Sequence, residues 1–245
     1  MHLNMDLILS ELSHKGFYIL EDNVLYELIY KARVEYLNIL HQLPVHPPRE
    51  KFTLHDLVHK PWRKLAIGAS NGLGEAYAQF LQTTYFHEQS VAYPYLTQLF
   101  RKMITLRNEL LGLAEDFGSC PERDLFWNAC RVHHYPSGGG FMMAHKDTHF
   151  PKALESSGFP FLQIMAPLSA RGQDFTTGGG FIVRKDTQEK YFFETETSLG
   201  HVVLFDGGHI IHGVEDVDGD RVVDFQSPSG RFAAFVNVYQ VQSKT

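Results

Sequence analysis

The sequence predicts an α+β fold in which amphipathic helices of the N-terminal half brace an antiparallel barrel formed by the C-terminal half. Before Pro121, apolar residues recur every three or four positions, which is the spacing of one helix face. After Pro121, short runs of strand-forming residues alternate with glycine turns, as in sandwiches and barrels. A chain of 245 residues fits one domain over 1–245, with a mainly helical region at 1–120 and the barrel at 121–245.

The N-terminal half is predicted to begin with a short helix over residues 7–15. Gly16 ends this helix before an opening strand over residues 17–20. The Asp-Asn pair at 22–23 offers a cap for a long helix, because short polar side chains satisfy free amides at a helix start. The apolar stripe of that helix continues through residues 25–43 and predicts a surface that faces the core.

The segment after the long helix is irregular. Residues 44–64 carry several prolines and are predicted to form a long loop with at most one helical turn. Residues 75–83 are predicted to be helical, and a second long amphipathic helix follows Pro94 and runs to Phe117. The two long helices are expected to cover one sheet of the barrel.

Eight strands are predicted after Pro121. They cover residues 126–135, 141–147, 161–168, 181–184, 191–195, 201–206, 210–214 and 231–241. Eight strands suffice for a jelly-roll barrel of the cupin-like type, the double-stranded β-helix.

Three side chains in the predicted barrel form a metal-binding pattern. His145 and Asp147 project from the same face of an extended strand because side chains alternate along a strand. His212 lies in a later strand, between apolar residues that share its face. Two histidines and one carboxylate make the facial triad that holds non-heme Fe(II) and leaves other coordination positions open.

This pattern resembles the Fe(II)/2-oxoglutarate-dependent oxygenase superfamily, whose signature is His-x-Asp, a distant His and then an Arg. Here the match is His145, Asp147, His212 and Arg231, and segments 135–138, 178–183 and 200–206 reinforce it. The resemblance covers the C-terminal half well and the N-terminal half only through residues 15–20. It implies Fe(II), 2-oxoglutarate as cosubstrate and O2.

Two arginines compete for the far carboxylate of 2-oxoglutarate. Arg221 lies nine residues after His212, the commoner family spacing, but in an acidic turn. Arg231 opens the best strand in the region and would point inward, so we favour it. The family often places Ser or Thr two residues after this arginine, whereas this chain has Ala233, so one hydrogen bond must be missing or supplied elsewhere.

Two further residues are candidates for cosubstrate contacts. By resemblance, Tyr135 is expected to bond the 2-oxoglutarate carboxylate, although a structural tyrosine in the core is an equal alternative. Gln163 is a polar residue in an apolar strand and is a candidate contact for cosubstrate or substrate. Among the other histidines, His149 is the strongest rival ligand, and His209 has a poor spacing for the face of His212.

The resemblance implies hydroxylation with release of succinate and CO2, because related halogenases usually replace the acid at Asp147 with a small residue. A free small molecule, such as an amino acid or a natural-product intermediate, is the expected substrate, and a protein or peptide is the alternative. Desaturation and cyclisation are alternative reactions of the same kind of enzyme. Two other classes of protein are also alternatives: a zinc hydrolase, since two histidines and one aspartate can bind zinc, and a non-catalytic cupin-like module.

The composition of the chain limits the kinds of partner and the compartment that we expect. A net charge of −6 argues against a nonspecific nucleic-acid binder, and the short basic cluster Lys60, Arg63 and Lys64 is interpreted as a solvated loop. Two cysteines, Cys120 and Cys130, favour a reduced compartment. Neither a signal peptide nor a membrane span is expected, so we predict a cytoplasmic enzyme of undetermined oligomeric state.

Overall fold

A computed structural model describes residues 4–21, 23–47, 50–70, 77–147, 154–156, 161–196, 199–225 and 227–241. Its helices are α1 (Met5–Lys15), α2 (Asn23–Leu40), α3 (Leu54–His59), α4 (Pro94–Leu110), α5 (Pro121–Asp124) and α6 (Phe193–Glu196). Its strands are β1 (Phe17–Glu21), β2 (Val45–His46), β3 (Trp62–Ser70), β4 (Tyr77–Phe86), β5 (Phe126–Pro136), β6 (Gly140–His145), β7 (Gln163–Pro167), β8 (Gly179–Val183), β9 (Lys190–Phe192), β10 (His201–Phe205), β11 (His212–Val217) and β12 (Gly230–Gln240).

The strands form a single curled sheet in the order β1-β10-β7-β12-β5-β4-β6-β11-β8-β9, with β3 on β4 and β2 on β3. The paired strands run antiparallel except β2 and β3, which are parallel. The α+β class is therefore as predicted. Because distant segments such as β6 and β11 become neighbours, residues far apart in sequence meet on one inner face.

Strand β12 shows how the sheet separates core from cavity. Phe232, Ala234 and Val236 are buried in the same apolar cluster as the stripes of α2 and α4. Residues on the opposite face of β12, including Arg231, Phe235 and Asn237, line an internal cavity instead. This division follows from the two-residue period of a strand, and it leaves the inner face available for a site.

Helices α2 and α4 lie against each other and against the outer face of the sheet, as the sequence predicts. Glu35 of α2 accepts a hydrogen bond from the backbone N–H of Leu96 at 2.8 Å, in the first turn of α4. A carboxylate there satisfies a free amide and interacts favourably with the helix dipole. Among the described residues, no helix is long and apolar enough to cross a membrane.

The prediction of a helix over residues 75–83 is wrong. Strand β4 occupies this segment from Tyr77 onward and pairs with β3, β5 and β6. Its Tyr, Phe and Thr residues favour strands, and pairing along both edges outweighs a short apolar spacing that also fits a helix. The N-terminal half therefore contributes three more strands to the sheet than the sequence indicates.

The segment predicted as a long loop is more ordered than expected. Within residues 44–64 the chain forms β2, α3 and the start of β3. Thr53 and Asp56 form a reciprocal capping box at the start of α3, a signal that the sequence analysis overlooked. Helix α4 also ends at Leu110 rather than at Phe117, and the positive φ of 64° at Gly112 follows that end.

The basic cluster is not a solvated loop. Arg63 is buried, and its guanidinium donates to the side-chain oxygen of Gln82 and to the carbonyl of Leu40. Lys64 follows it in β3 and lines the internal cavity. The solvated-loop interpretation is therefore wrong for Arg63 and Lys64, because the pairing of β3, which places them inside, is not visible in the local sequence, whereas Lys60 is exposed as predicted.

Asp218 joins three turns at one end of the barrel. This fully buried carboxylate accepts hydrogen bonds from Ser137 Oγ at 2.7 Å, from the Thr176 amide at 2.7 Å and from the Thr177 amide at 3.0 Å. Burial alone would raise its pKa, but these donors outweigh burial and hold the pKa at about 2.

Replacing Asp218 with alanine is expected to lower the free energy of unfolding by about 3 kcal/mol, because several donors lose a charged acceptor. The folded pKa lies below the unfolded value of about 3.9, so this contribution is present above about pH 4 and is lost as the pH falls towards 2. Chemical denaturation between pH 3 and 7 measures it. The exposed Asp220→Asn is the control, and equal effects of the two variants would contradict the assignment.

Candidate metal centre

The two predicted histidine ligands are direct cross-strand neighbours. Strands β6 and β11 pair His145 with His212, and the centres of the two rings are 4.4 Å apart. His145 Nδ1 lies 2.8 Å from the carbonyl oxygen of Met143, and His212 Nδ1 lies 3.2 Å from that of Ile210. A carbonyl oxygen only accepts, so each Nδ1 carries the proton and each Nε2 presents its lone pair to the cavity.

Both Nε2 atoms face the Asp147 carboxylate. His145 Nε2 is 3.9 Å from Asp147 Oδ1, and His212 Nε2 is 3.7 Å from Asp147 Oδ2. One donor atom from each residue lies within 4.8 Å of the others. These are spacings at which three donors can share one ion.

Asp147 reaches this position from just beyond the end of β6, not from within the predicted strand. Its backbone N–H donates to the carbonyl of Gly207 at 2.9 Å, which fixes the segment against the loop after β10. Gly213, next to His212, leaves no room for a side chain, since a Cβ there would lie 2.7 Å from the Met142 carbonyl oxygen. The rival His149 lies outside the described residues.

The electrostatics keep the donor set in a metal-binding form. Burial, followed by the proximity of His145, lowers the pKa of His212 to about 3. His212 is therefore neutral near pH 7. A neutral His212, the imidazole of His145 and one carboxylate match the donor types of non-heme iron centres.

Gln163 lies beside the candidate metal centre. Its side-chain amide donates to Asp147 Oδ2, and Gly207 leaves the space for this contact. Gln163 stays a predicted contact for cosubstrate or substrate, and its amide lies on the carboxylate of the candidate ligand Asp147. Such partners of ligands orient the donor atoms.

Removing that amide is expected to weaken metal binding. Gln163→Met should reduce the affinity for Mn²⁺ by roughly 10- to 100-fold, because Asp147 loses the contact that orients it. Gln79→Met removes another cavity glutamine and is expected to leave the affinity unchanged. Titration followed by electron paramagnetic resonance measures both, and equal affinities would show that Gln163 does not position Asp147.

Arg231 lies deep in the same cavity, at the start of β12. Its Nε donates to Glu194 Oε1, and its Nη2 lies 3.2 Å from Met165 Sδ. Nη1 is buried and has no hydrogen-bond partner among the described residues. The guanidinium carbon lies 5.4 Å from the ring centre of Tyr135, its neighbour on β5. A guanidinium with a buried, unused N–H edge is suited to an incoming carboxylate.

The competing arginine lies elsewhere. Arg221 is in the exposed turn after β11, where its Nη1 is 3.5 Å from Asp218 Oδ2 and half of its side chain is accessible to solvent. It is not among the described residues that line the cavity. The geometry therefore supports Arg231, which the sequence analysis favoured from strand position.

Sequence reasoning did not identify Glu194. This buried acid belongs to α6, and its Oε2 accepts a hydrogen bond from the Gly180 amide at 2.8 Å while Oε1 pairs with Arg231. An acidic residue directly after Phe192 and Phe193 suggests burial but does not identify the partner of that carboxylate. Tyr135 is also buried in the cavity wall, with its hydroxyl 3.4 Å from His133 Nδ1.

The cavity that contains these groups has a volume of about 290 Å³. Aromatic and aliphatic side chains form much of its wall, including Met165, Phe181, Phe205 and Phe235. Among the described lining residues, Asp147 is the only carboxylate. Small-molecule sites are typically apolar clefts with a few convergent polar groups, and this cavity has that character.

Three solved structures share this architecture. A Pseudomonas putida prolyl-4-hydroxylase matches with a TM-score of 0.59 and 15% identity, covering 97% of this chain and 100% of that chain. A Trichoplax adhaerens prolyl hydroxylase, solved with a hypoxia inducible factor oxygen degradation domain peptide fragment, matches at 0.57 and 12%, covering 96% and 89%. AviO1 from Streptomyces viridochromogenes Tue57 matches at 0.52 and 12%, covering 99% and 97%. No protein-family model and no curated protein matches the sequence.

At sequence identities of 12% and 15%, the similarity to these structures shows the fold alone. The chain has the fold of the two prolyl hydroxylases, which confirms the predicted double-stranded β-helix braced by helices. The residues of the cavity fit a metal ion and a cosubstrate with a carboxylate group. One donor atom each from His145, Asp147 and His212 converges on one point, and Arg231 has a buried N–H group without a hydrogen-bond partner among the described residues.

Proposed function

We propose that this chain is an Fe(II)- and 2-oxoglutarate-dependent dioxygenase that hydroxylates a free small molecule, such as an amino acid or a natural-product intermediate. The observation that carries the proposal is the convergence of His145 Nε2, Asp147 and His212 Nε2 in a cavity that also contains a buried arginine. The similarity in fold to prolyl hydroxylases supports an enzyme rather than a binding module.

Iron, 2-oxoglutarate and O2 supply the oxidation when bound: one oxygen atom enters the substrate C–H bond as a hydroxyl group, and the other enters succinate as CO2 leaves. His145, Asp147 and His212 would hold the metal through one carboxylate oxygen and two imidazole nitrogens. The backbone carbonyls at Nδ1 keep both rings oriented, so their lone pairs face the ion.

Arg231 would hold the distal carboxylate of 2-oxoglutarate through paired, charge-assisted hydrogen bonds. Glu194 holds Nε from behind and leaves the outer edge of the guanidinium for the cosubstrate. The hydroxyl of Tyr135 would donate to the same carboxylate and so replace the hydrogen bond that Ala233 cannot make. The apolar side chains of the cavity, such as Phe181, Phe205 and Phe235, would limit access of water to the reacting centre.

The main alternative is the same chemistry on a protein or peptide. The Trichoplax adhaerens structure contains a peptide fragment, which supports this alternative for the shared fold. The volume of the cavity, about 290 Å³, favours a small molecule, since a polypeptide needs a groove across the surface. A zinc hydrolase would need a general base, and the one carboxylate among the described lining residues is the proposed ligand Asp147.

Turnover decides between these possibilities. The iron-loaded protein is incubated with 2-oxoglutarate, O2 and panels of metabolites and peptides, while succinate and substrate mass are monitored. We expect succinate together with a gain of one oxygen on a small molecule. Turnover on polypeptides alone would replace the substrate class, and hydrolysis that is insensitive to 2-oxoglutarate would indicate the zinc enzyme. No succinate under any condition would leave a cupin-like module.

A further inference from the structure

Asn237 is a buried polar residue of the cavity wall that the proposed cofactor chemistry does not use. It lies on β12, and the residue is only 3% exposed. The two-residue period of the strand places it on the inner face with Phe235 and Tyr239, and all three residues line the cavity. An asparagine side chain offers a carbonyl oxygen and an amide NH2 group, so it can recognise a ligand through hydrogen bonds.

The side-chain oxygen of Asn237 is an acceptor without a donor. Oδ1 is buried, and no described residue donates a hydrogen bond to it. The register partner of Asn237 on β5 is Ala129, whose side chain has no polar atom. The side-chain amide of Gln163, on the other side, donates to Asp147 instead. Buried polar atoms in native proteins are mostly hydrogen-bonded, so an unpaired acceptor in a cavity wall requires a physical explanation.

The strand register places Asn237 beside Gln163. Val236 of β12 pairs with Ile164 of β7 in an antiparallel ladder, so Asn237 and Gln163 are the next residues on their strands. Both line the cavity, which puts them on the same inner face. Side chains at one level and on one face of adjacent strands are neighbours. Asn237 is therefore one side chain away from the ligand carboxylate of Asp147, which Gln163 contacts.

The same level of the sheet contains the metal centre. Gln163 pairs on its other side with Phe205, and the ring centres of Phe205 and His212 are 5.2 Å apart. Arg231 lies six residues before Asn237 on β12, which is roughly 20 Å along a strand. A group bound to Asn237 would therefore lie beside the metal, on the side away from the proposed anchor of 2-oxoglutarate.

We propose that Asn237 Oδ1 accepts a hydrogen bond from an N–H or O–H group of the organic substrate and so determines specificity. This proposal rests on the oxygenase function and narrows its substrate class to molecules with a hydrogen-bond donor close to the oxidised carbon. Phe205 and Phe235 provide apolar surface for the carbon skeleton. A molecule without a donor would leave Oδ1 unpaired, and sites with a buried polar group reject such analogues.

Two pairs of probes test the preference: phenol with anisole, and indole with 1-methylindole. In each pair the second member carries a methyl group in place of the donor hydrogen. Each probe is added to the protein loaded with Mn²⁺ and 2-oxoglutarate, and binding near the metal is measured from the paramagnetic relaxation of ring protons. We expect phenol and indole to bind roughly tenfold more tightly than their methylated partners. Equal affinities in both pairs, including no binding of any probe, would overturn the proposal.

A variant connects the preference to Asn237. Asn237→Leu keeps the size of the side chain and removes its polar atoms, so phenol and indole should lose most of their advantage over the methylated probes. Asn38→Leu, an exposed change on α2, should retain that advantage. A preference that persists in Asn237→Leu would assign recognition to another group and overturn the proposal.

Thermal unfolding of the metal-free protein tests the unpaired oxygen without a ligand. Because a buried acceptor costs stability while it is unpaired, Asn237→Leu is expected to raise the melting temperature by about 2–4 °C. The matched control is Asn128→Leu, at a buried asparagine of β5 whose Oδ1 accepts from Arg107 Nη2 at 2.8 Å. This control should lower the melting temperature. An equal loss of stability in the two variants would make Asn237 a structural residue and overturn the proposal.

A separate measurement keeps the proposed function distinguishable. Calorimetry of 2-oxoglutarate binding, together with succinate formation by the wild-type protein, tests the oxygenase assignment without reference to Asn237. If 2-oxoglutarate binds and is turned over while the probe pairs show no preference, the substrate proposal fails alone. If 2-oxoglutarate neither binds nor reacts, the function itself fails.

Discussion

His212→Ala is expected to reduce succinate formation by roughly a thousandfold or more, because one of the three metal donors is lost and a metal site needs all of them. His145→Ala should have the same effect. The two imidazoles are paired across β6 and β11, so neither can replace the other. Iron content after dialysis and the rate of succinate formation measure the change.

The same variants separate metal loss from misfolding. A ligand at one hundred times its dissociation constant stabilises the folded state by about 2.7 kcal/mol, so the wild-type melting temperature should rise with added Mn²⁺. His145→Ala and His212→Ala should melt near the metal-free wild type and show no rise. His209→Ala removes a nearby exposed histidine and should behave as the wild type does. A rise in either ligand variant would contradict the assignment.

Local periodicity and one strand pairing made the metal pattern readable from the sequence. The two-residue period brought His145 and Asp147 to one side, and the pairing of β6 with β11 then delivered His212 opposite His145. The position of Asp147 differs from the prediction, because this residue lies past the end of β6 rather than within the strand. Its backbone N–H is held by a hydrogen bond to the carbonyl of Gly207. That bond joins residues sixty positions apart, and no local pattern encodes it.

Contacts of long range in sequence explain what the sequence analysis missed. Strand β4 was predicted as a helix because its pairing with β3, β5 and β6 cannot be seen locally. Lys64 was interpreted as solvated for the same reason. Glu194 was not noticed because its significance comes from Arg231, which follows it by 37 positions. Residue type shows that a group can be charged, whereas only the fold shows what it faces.

Arg231→Lys is expected to raise the KM for 2-oxoglutarate by roughly 100-fold, because a lysine retains the charge but not the planar fork that binds a carboxylate with two hydrogen bonds. Arg221→Lys changes an exposed arginine outside the cavity and should leave the KM within twofold. Initial rates of succinate formation at varied 2-oxoglutarate measure both. A larger effect at Arg221 would reverse the assignment of the two arginines.

Complete removal of the guanidinium needs a paired change. Arg231→Met alone leaves the buried Glu194 carboxylate without its cation, which should cost about 3–5 kcal/mol of stability. In the double variant R231M/E194Q the buried charge is gone, and the amide oxygen of residue 194 can still accept from the Gly180 N–H. Denaturant unfolding should show that the double variant recovers most of the stability lost in the single variant.

The double variant then isolates the cosubstrate role of Arg231 from its structural role. Its metal ligands are intact, so Mn²⁺ affinity should stay near that of the wild type while calorimetry detects no 2-oxoglutarate binding. Loss of both affinities would mean that the Arg231–Glu194 pair supports the whole barrel interior rather than the cosubstrate. Retention of 2-oxoglutarate binding would move the carboxylate site to another cation of the cavity, since a methionine cannot bind an anion.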